Sequence, residues 1–525
     1  GTELRERIAA YYTVSDCVKE STYLLLGQID AQFKDNVIGL ADKTVLKIVG
    51  QTYGASKQVA DMYAEHGDVG LVTQTLHKNK PQGLIPPKSM SVTQVYAHLH
   101  KLKEVKGSGS LQQKADMIKS VLSNMDGMEA KFYTRILTGT LRLGVGVMAI
   151  IDALSMTVHS NKQDKKLIEH AYNVYPDIGE IAAEYLQHKT INKQVTIGVP
   201  VRVMLAQRVK QLAEIQERIT FPMYADTKYD GERIQIHVSD TVSLYSRRME
   251  NITEQFPDIV SMCKNLPPCI LEGEIMACNQ AGDLLHFTDL MQRKRKHNIE
   301  EVAKQVPVRV FCFDVIHYNT SLLDTPYTER MTILDMLVAQ CGLERSECHQ
   351  VATLDELETV FNNTIEQHEG LIIKDANGAY VPGNRNFAWI KWKADYGQVD
   401  SFDLVIVGAD HGKGKRKGAY GSFMLACRDG DELVTVTKLG SGMTDAQLKE
   451  VTQNVEVTKT PKAVFGTIGC DVYLQPTIVV EVIAAEISKG SGHSGLALRF
   501  PRMICIRTDK GVEDITTKEE IEQMR

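Results

Sequence analysis

Apolar positions along this chain change their period twice. Up to about residue 200 the rhythm is helical: Leu111, Ala115, Ile118, Val121, Leu122 and Met125 fall on one face, with Gln, Lys, Asp and Ser between them. The Gly107-Ser108-Gly109-Ser110 stretch ahead of them reads as a loop with a serine to cap the helix. Around Ile197-Gly198-Val199-Pro200 the pattern gives way to a linker. From about 203 to 396, strands are expected over Thr241–Ser246, Ile270–Ala277, Val308–Ile316 and Leu371–Lys374. Helices are expected over Arg330–Ala339 and Leu354–Phe361, which makes this stretch α+β. Beyond 397, short apolar or alternating runs (Asp403–Gly408, Ser422–Cys427, Leu433–Lys438, Ile478–Ala485) separated by glycine-rich turns predict a small β-barrel. The expected division is therefore 1–202, all-α; 203–396, α+β; and 397–525, β-barrel. No internal repeat or low-complexity segment interrupts it.

Length agrees with this division, since 525 residues exceed what one core can hold and suggest about three domains. At 43% hydrophobic and 24% charged, with a mean hydropathy of −0.19, the composition is that of a globular protein. The net charge of −6 weighs slightly against nucleic acid, but basic residues cluster at Arg293-Lys294-Arg295-Lys296 and Lys413-Gly414-Lys415-Arg416-Lys417. Ten cysteines stand singly, without Cys-x-x-Cys spacing, so neither a zinc site nor a secreted disulfide framework is indicated and an intracellular setting is expected. The most apolar run, Val145–Met156, is too short to span a bilayer and carries Asp152, so no membrane association is expected.

The candidate chemistry centres on Lys228-Tyr229-Asp230-Gly231-Glu232-Arg233. Asp-Gly signals a tight bend or hairpin, with Gly accepting a positive φ, and would hold Lys228 at a sheet edge. A lysine attacks only as the neutral amine, which asks for a pKa lowered from about 10.4 toward about 7–8 by burial and neighbouring cations. Downstream come Ser246-Arg247-Arg248; Glu272 and Glu274 on one strand face; Phe311-Cys312-Phe313-Asp314; Glu369 and Lys374 at opposite ends of a strand; and Lys391 and Lys393 alternating with Trp389 and Trp392. Taken singly, each has a structural reading: core aromatics, solvated ion pairs, a surface lysine. The mix of basic residues, hydroxyls and glycines from Thr134 to Gly146 likewise reads first as a helix-loop-helix junction. In this order they supply an amine, metal-binding carboxylates, cations for phosphates and a ring for a base, which is the inventory nucleotidyl transfer needs.

These residues resemble the six ordered motifs of the ATP-dependent DNA ligases, closest to the archaeal and eukaryotic replicative branch, over nearly the whole chain. Lys228–Gly231 matches the Lys-x-Asp-Gly motif; Ser246-Arg247, Glu272–Ile275, Phe313-Asp314, Glu369–Lys374 and Trp389–Lys393 match the next five blocks. Leu498–Arg502 and Arg507–Lys510 match the C-terminal block, and Leu141–Gly144 resembles part of the helical DNA-binding domain. The resemblance implies a helical DNA-binding domain, a nucleotidyltransferase domain and an OB-fold domain. It further implies ATP and Mg²⁺ as cofactors, nicked duplex DNA as substrate, and a monomer placed in the cytoplasm, or in the nucleus of a eukaryote.

The resemblance also implies roles. Lys228 forms lysyl-AMP. Arg233 lies near the ribose and the 5′-phosphate, Arg247 contacts nucleotide or 5′-phosphate, and Phe313 stacks on adenine. Glu274 and Glu369 serve the metal, Glu274 also the ribose side. Arg385, Lys391 and Lys393 face phosphates, while Arg507, Asp509 and Lys510 orient pyrophosphate. Two features depart from the family pattern. Asp226 stands where a glutamate reads the adenine, one methylene shorter, and Gln82-Gly83-Leu84-Ile85 lacks the two aromatics of a sliding-clamp motif. The alternatives weighed are an RNA ligase, a GTP-dependent capping-type nucleotidyltransferase and an inactive DNA-binding scaffold.

Overall fold

The computed structural model describes residues 2–34, 38–79, 89–139, 141–209, 212–285, 287–294, 298–393, 401–412, 416–430, 432–466, 469–490, 494–508 and 510–524. Contacts divide the chain into two units: residues 1–39, 90–107 and 139–395, and residues 40–89, 108–138 and 396–525. Among the described residues, eleven α-helices and no strand precede Leu205. The expected helix runs from Ser110 to Asn124 and buries Ala115, Ile118 and Leu122, but Gly109, with φ +79°, precedes it in place of a capping serine. Glycine takes this left-handed position without the steric penalty a serine Cβ would meet. In the first unit the apolar run becomes the helix Val147–His159, whose Ile150, Ile151 and Leu154 pack on Ile8, Tyr12, Ile168 and Tyr185. Its buried Asp152 is paired with Arg5 (2.9 Å), Lys162 (2.7 Å) and Lys165 (3.2 Å).

The rest of the first unit is built on β1 (Leu205–Arg208), β2 (Met223–Thr227), β3 (Glu232–Val238), β4 (Val242–Ser246), β5 (Cys269–Ala277), β6 (Val308–Tyr318), β7 (Thr320–Ser321), β8 (Glu344–Arg345), β9 (Cys348–Val351), β10 (Gly370–Asp375) and β11 (Arg385–Lys393). They form two sheets: β1-β11-β10-β2-β9, and β4-β3-β5-β6-β7 with β8 on β6. The second sheet carries the larger core, where Ile234, Ile236, Leu271, Ile275, Val310 and Val315 meet Phe256 and, from flanking helices, Ile259, Leu334 and Leu337. The helix Tyr327–Val338 is fastened to β6 by the fully buried Arg330–Asp314 pair (2.8 Å), so the acid beside Phe313 serves the fold. Arg293 is also buried, bound to Asp258 (2.7 Å) and to main-chain oxygens of Gln255 and Val306. Its place in the basic cluster is therefore structural, and it offers no cation to a nucleic acid.

In the second unit the helices Val69–Lys78 and Gly127–Leu137 meet at Gly70, where a Cβ would lie 2.6 Å from the Lys131 carbonyl oxygen, and Arg135 pairs with Asp68 at 2.8 Å. The same unit contains β12 (Ser401–His411), β13 (Tyr420–Asp429), β14 (Glu432–Leu439), β15 (Val457–Thr458), β16 (Val472–Leu474), β17 (Val479–Ile483), β18 (Glu486–Lys489), β19 (Leu496–Arg499) and β20 (Arg502–Ile506). Seven of them form one sheet, β14-β13-β12-β16-β15 with β17 joining β12 to β20, and β18 and β19 pair separately. Phe402, Leu404, Phe423, Leu425, Val436 and Val480 lie in its core.

Candidate active site

Lys228 leaves β2 where the chain crosses from the first sheet to the second. The Lys228–Gly231 segment is thus a sheet-to-sheet crossing and not a hairpin. Gly231 is needed for closeness and not for a positive φ: a Cβ there would lie 2.2 Å from the Ile275 carbonyl oxygen and 2.9 Å from Glu274 Cγ. The Lys228 N–H donates to the Gly370 carbonyl (2.9 Å), and the Glu369 N–H donates to the Lys228 carbonyl (3.3 Å). That backbone tie brings Glu369 to the lysine. One carboxylate oxygen accepts from Lys228 Nζ and the other from Lys393 Nζ at 2.9 Å. Burial works against the Glu369 charge, but Lys228 and Lys393 overcome it and hold the carboxyl below the usual range.

Glu274, on β5, is the second acid near Lys228. It is the register partner of Arg233 across β3 and β5. Burial pushes it up to about 7 despite Lys228 and Arg233 nearby. Glu272 shares its face but is fully buried, accepting from Arg233 (2.6 Å), Gln235 (3.0 Å) and the Tyr380 hydroxyl (2.9 Å). Arg233 also donates to the Met204 carbonyl (2.8 Å) and lies over Phe313 (5.2 Å) and Trp389 (5.4 Å). Its Nε is buried without a hydrogen-bond partner. Among the described residues no three His, Cys, Asp or Glu side chains form a metal cluster by themselves. Glu274 and Glu369 are the donor type that Mg²⁺ takes, one or two carboxylates completed by waters and substrate phosphates, and in this structure both Glu369 oxygens are held by lysines.

Three family descriptions match this chain in succession: "DNA ligase N terminus" over residues 2–155, "ATP dependent DNA ligase domain" over 203–393 and "ATP dependent DNA ligase C terminal region" over 416–510. DNA ligase 1 of Methanosarcina barkeri is 36% identical, covering 97% of this chain and 98% of that protein. The chain belongs to the ATP-dependent DNA ligases. DNA ligase 2 of Thermofilum pendens is also 36% identical, over 98% of this chain and 92% of its own length. A solved structure described as "Pmar-Lig_Pre." shares the fold with a TM-score of 0.53 at 18% identity, covering 96% of this chain and 99% of its own. The activity that comes with membership is ATP-dependent sealing of nicks in DNA.

The remaining ligase positions lie on other strands and turns of the two units. Phe313 is half-buried, edge-on to Trp389 at 6.0 Å, with Lys374 Nζ 5.0 Å from its ring. Asp226 is buried, and its carboxylate is held by Lys374 (2.5 Å) and the Ser346 hydroxyl. Ser346 and the buried face of Lys374 were not evident beforehand. Lys374 closes a recognised motif, whereas nothing local in the sequence singles out Ser346. Lys391 is half-buried on β11, opposite Ile372, and Arg385 is exposed at the start of that strand. Arg247 and Arg248, exposed in the turn after β4, line a cavity of about 240 Å³ with Gln32, Arg202, Met249 and Gly383. Arg507 and Lys510 lie in the second unit, both paired with Asp403. Gln82 and Asp509 lie outside the described residues. Among those described, no helix is long and apolar enough to cross a membrane.

Proposed function

We propose that Lys228 is the nucleophile through which this ligase seals nicked duplex DNA. The single observation that carries the reading is the arrangement around its amine: Glu369 in direct contact, Lys393 on the same carboxylate, and Glu274 near enough to feel the lysine's charge. In the first step the neutral Lys228 amine attacks the α-phosphate of ATP; an N–P bond forms, the bond to pyrophosphate breaks, and the amine gives up its proton. The AMP then passes to the 5′-phosphate of the nick, freeing Lys228. Finally the 3′-hydroxyl attacks that phosphate and AMP leaves.

Each neighbour has a part. Phe313 offers a face to the adenine, and Asp226 acts through Lys374, which it holds beside that ring. Arg233, bound to Glu272 and the Met204 carbonyl, would lie near the ribose or the 5′-phosphate without donating its buried Nε to either. Arg247, Arg385, Lys391 and Lys393 serve phosphates of nucleotide and DNA, as cations suited to positioning along a backbone. Glu274 and Glu369 would hold Mg²⁺, which when bound neutralises developing charge on the phosphoryl oxygens. Arg507, Asp509 and Lys510 orient the departing pyrophosphate.

We assign residues 1–202 to an all-α DNA-binding domain, 203–396 to the nucleotidyltransferase domain and 397–525 to an OB-fold, acting as a monomer in replication, repair and recombination. The seven-stranded sheet and its apolar core support the last of these domains. A nicked duplex labelled at the 5′-phosphate tests the whole: wild type with ATP and Mg²⁺ converts it to sealed product, and Lys228→Ala does not. Sealing by Lys228→Ala at the wild-type rate would overturn the reading.

A further inference from the structure

Three strands of the C-terminal sheet set two acids side by side. Asp403 of β12 is the register partner of Glu481 of β17, which in turn faces Cys505 of β20. Like charges directly opposite on neighbouring strands are destabilising unless something bridges them. Arg507 and Lys510 do so. Arg507 donates to Asp403 at 3.1 Å and lies 3.8 Å from Glu481, and Lys510 Nζ reaches the second Asp403 oxygen. Asp403 is itself pinned: its N–H donates to the Thr516 hydroxyl (2.9 Å), and its carbonyl accepts from the Thr516 N–H (2.9 Å). Its side chain is 15% exposed, so its charge is shielded from water and from salt. One carboxylate thus meets two cations from beyond β20, one per oxygen, and Arg507 has Glu481 beside it as well.

We propose that Asp403 is a positioning residue for nucleotide activation, holding Arg507 and Lys510 in the arrangement that receives the departing pyrophosphate. The inference rests on the pyrophosphate role given to those two cations. Loss of the Asp403 charge removes the one acid that both side chains share, while Arg507 keeps Glu481. Misplaced groups lose rate in the step they serve while ground-state binding changes little. That step is the formation of lysyl-AMP. Closure of a nick already carrying AMP on its 5′-phosphate releases no pyrophosphate and does not need the pair.

The test uses the full chain and three variants, Asp403→Asn, Arg507→Ala and the double substitution. Single-turnover labelling of the protein with ATP is set against sealing of a pre-adenylated nick. We expect Asp403→Asn to slow labelling on the order of 10-fold through its maximal rate and not through the ATP concentration at half-maximum. Pre-adenylated sealing should stay within about 2-fold, and Asp403→Asn should add nothing in the Arg507→Ala background. If Asp403→Asn unfolds, Asp403→Glu, which keeps the charge but moves it by a methylene, carries the same comparison. Unchanged labelling by the Asp403 variant, while Arg507→Ala is slow, would overturn the positioning role alone. Equal losses in both assays would reduce Asp403 to a structural residue. Unchanged labelling by Arg507→Ala would remove the pyrophosphate reading itself.

Discussion

Gly231 is the residue at which fold and chemistry depend on the same missing atoms. Its neighbours leave no room for a Cβ, so Gly231→Ala must push β3 away from the Ile275 carbonyl and Glu274. Overpacking of this kind costs about 1–3 kcal/mol. We expect a lower thermal midpoint together with slower lysyl-AMP formation; a variant with the wild-type midpoint would show that the crossing has slack. Glu274 gives a second residue-scale expectation. Its carboxyl is raised from 4.5 to about 7, so the fold binds this proton more tightly than the unfolded chain does. The associated stability is present below pH 4.5 and is lost as pH rises through about 7. Glu274→Gln, which cannot ionise, should therefore gain in thermal midpoint relative to wild type between pH 5 and pH 8, measured without nucleotide. A difference that stays flat or falls with pH would contradict this. At this scale the sequence identified most of the candidate cluster, because Lys228, Glu274, Glu369 and Lys393 sit in ordered motifs. The partners that tie side chains together were hidden. Ser346 meets Asp226 across 120 residues, and Tyr380 meets Glu272 across 108. Only packing, not local pattern, creates such pairs.

At the scale of elements, alternation and helical period located the strands β4, β5, β6 and β10 and the helices at Tyr327–Val338 and Leu354–Thr364 to within a few residues. They could not reveal that β2 and β3 belong to different sheets, because a bend between two strands reads the same whether it folds back or crosses over. The Asp-Gly pair therefore left a tight bend and a hairpin equally open, and the lysine owes its position to the crossing. Long-range fastening was equally silent. Arg330 and Asp314 form a fully buried pair that seats one helix on β6. Removing one partner of such a pair strands a buried charge and costs about 3–5 kcal/mol, whereas replacing both with apolar groups is often near neutral. Arg330→Met should lower the urea midpoint sharply, and Arg330→Met with Asp314→Leu should recover most of it. A double variant no better than the single one would mean that the pair adds more than charge balance.

For the whole molecule, a net charge of −6 coexists with a DNA substrate because cations are gathered locally. Arg202, Arg247 and Arg248 border one cavity, and Arg385 stands exposed on β11. Binding through such groups releases counterions, so affinity for nicked duplex should fall linearly in log–log coordinates with salt. Arg247→Ala should weaken binding to all sequences alike and reduce the salt slope by about 1. An unchanged slope would place Arg247 away from the DNA phosphates.

The most direct measurement of the central claim is intact-mass spectrometry, with peptide mapping, of protein incubated with ATP and Mg²⁺ in the absence of DNA. The expected result is a mass gain of one AMP, carried on the peptide that contains Lys228, reversed by added pyrophosphate and absent from Lys228→Ala. No adduct on the wild-type protein, or an adduct mapped to another residue, would contradict it.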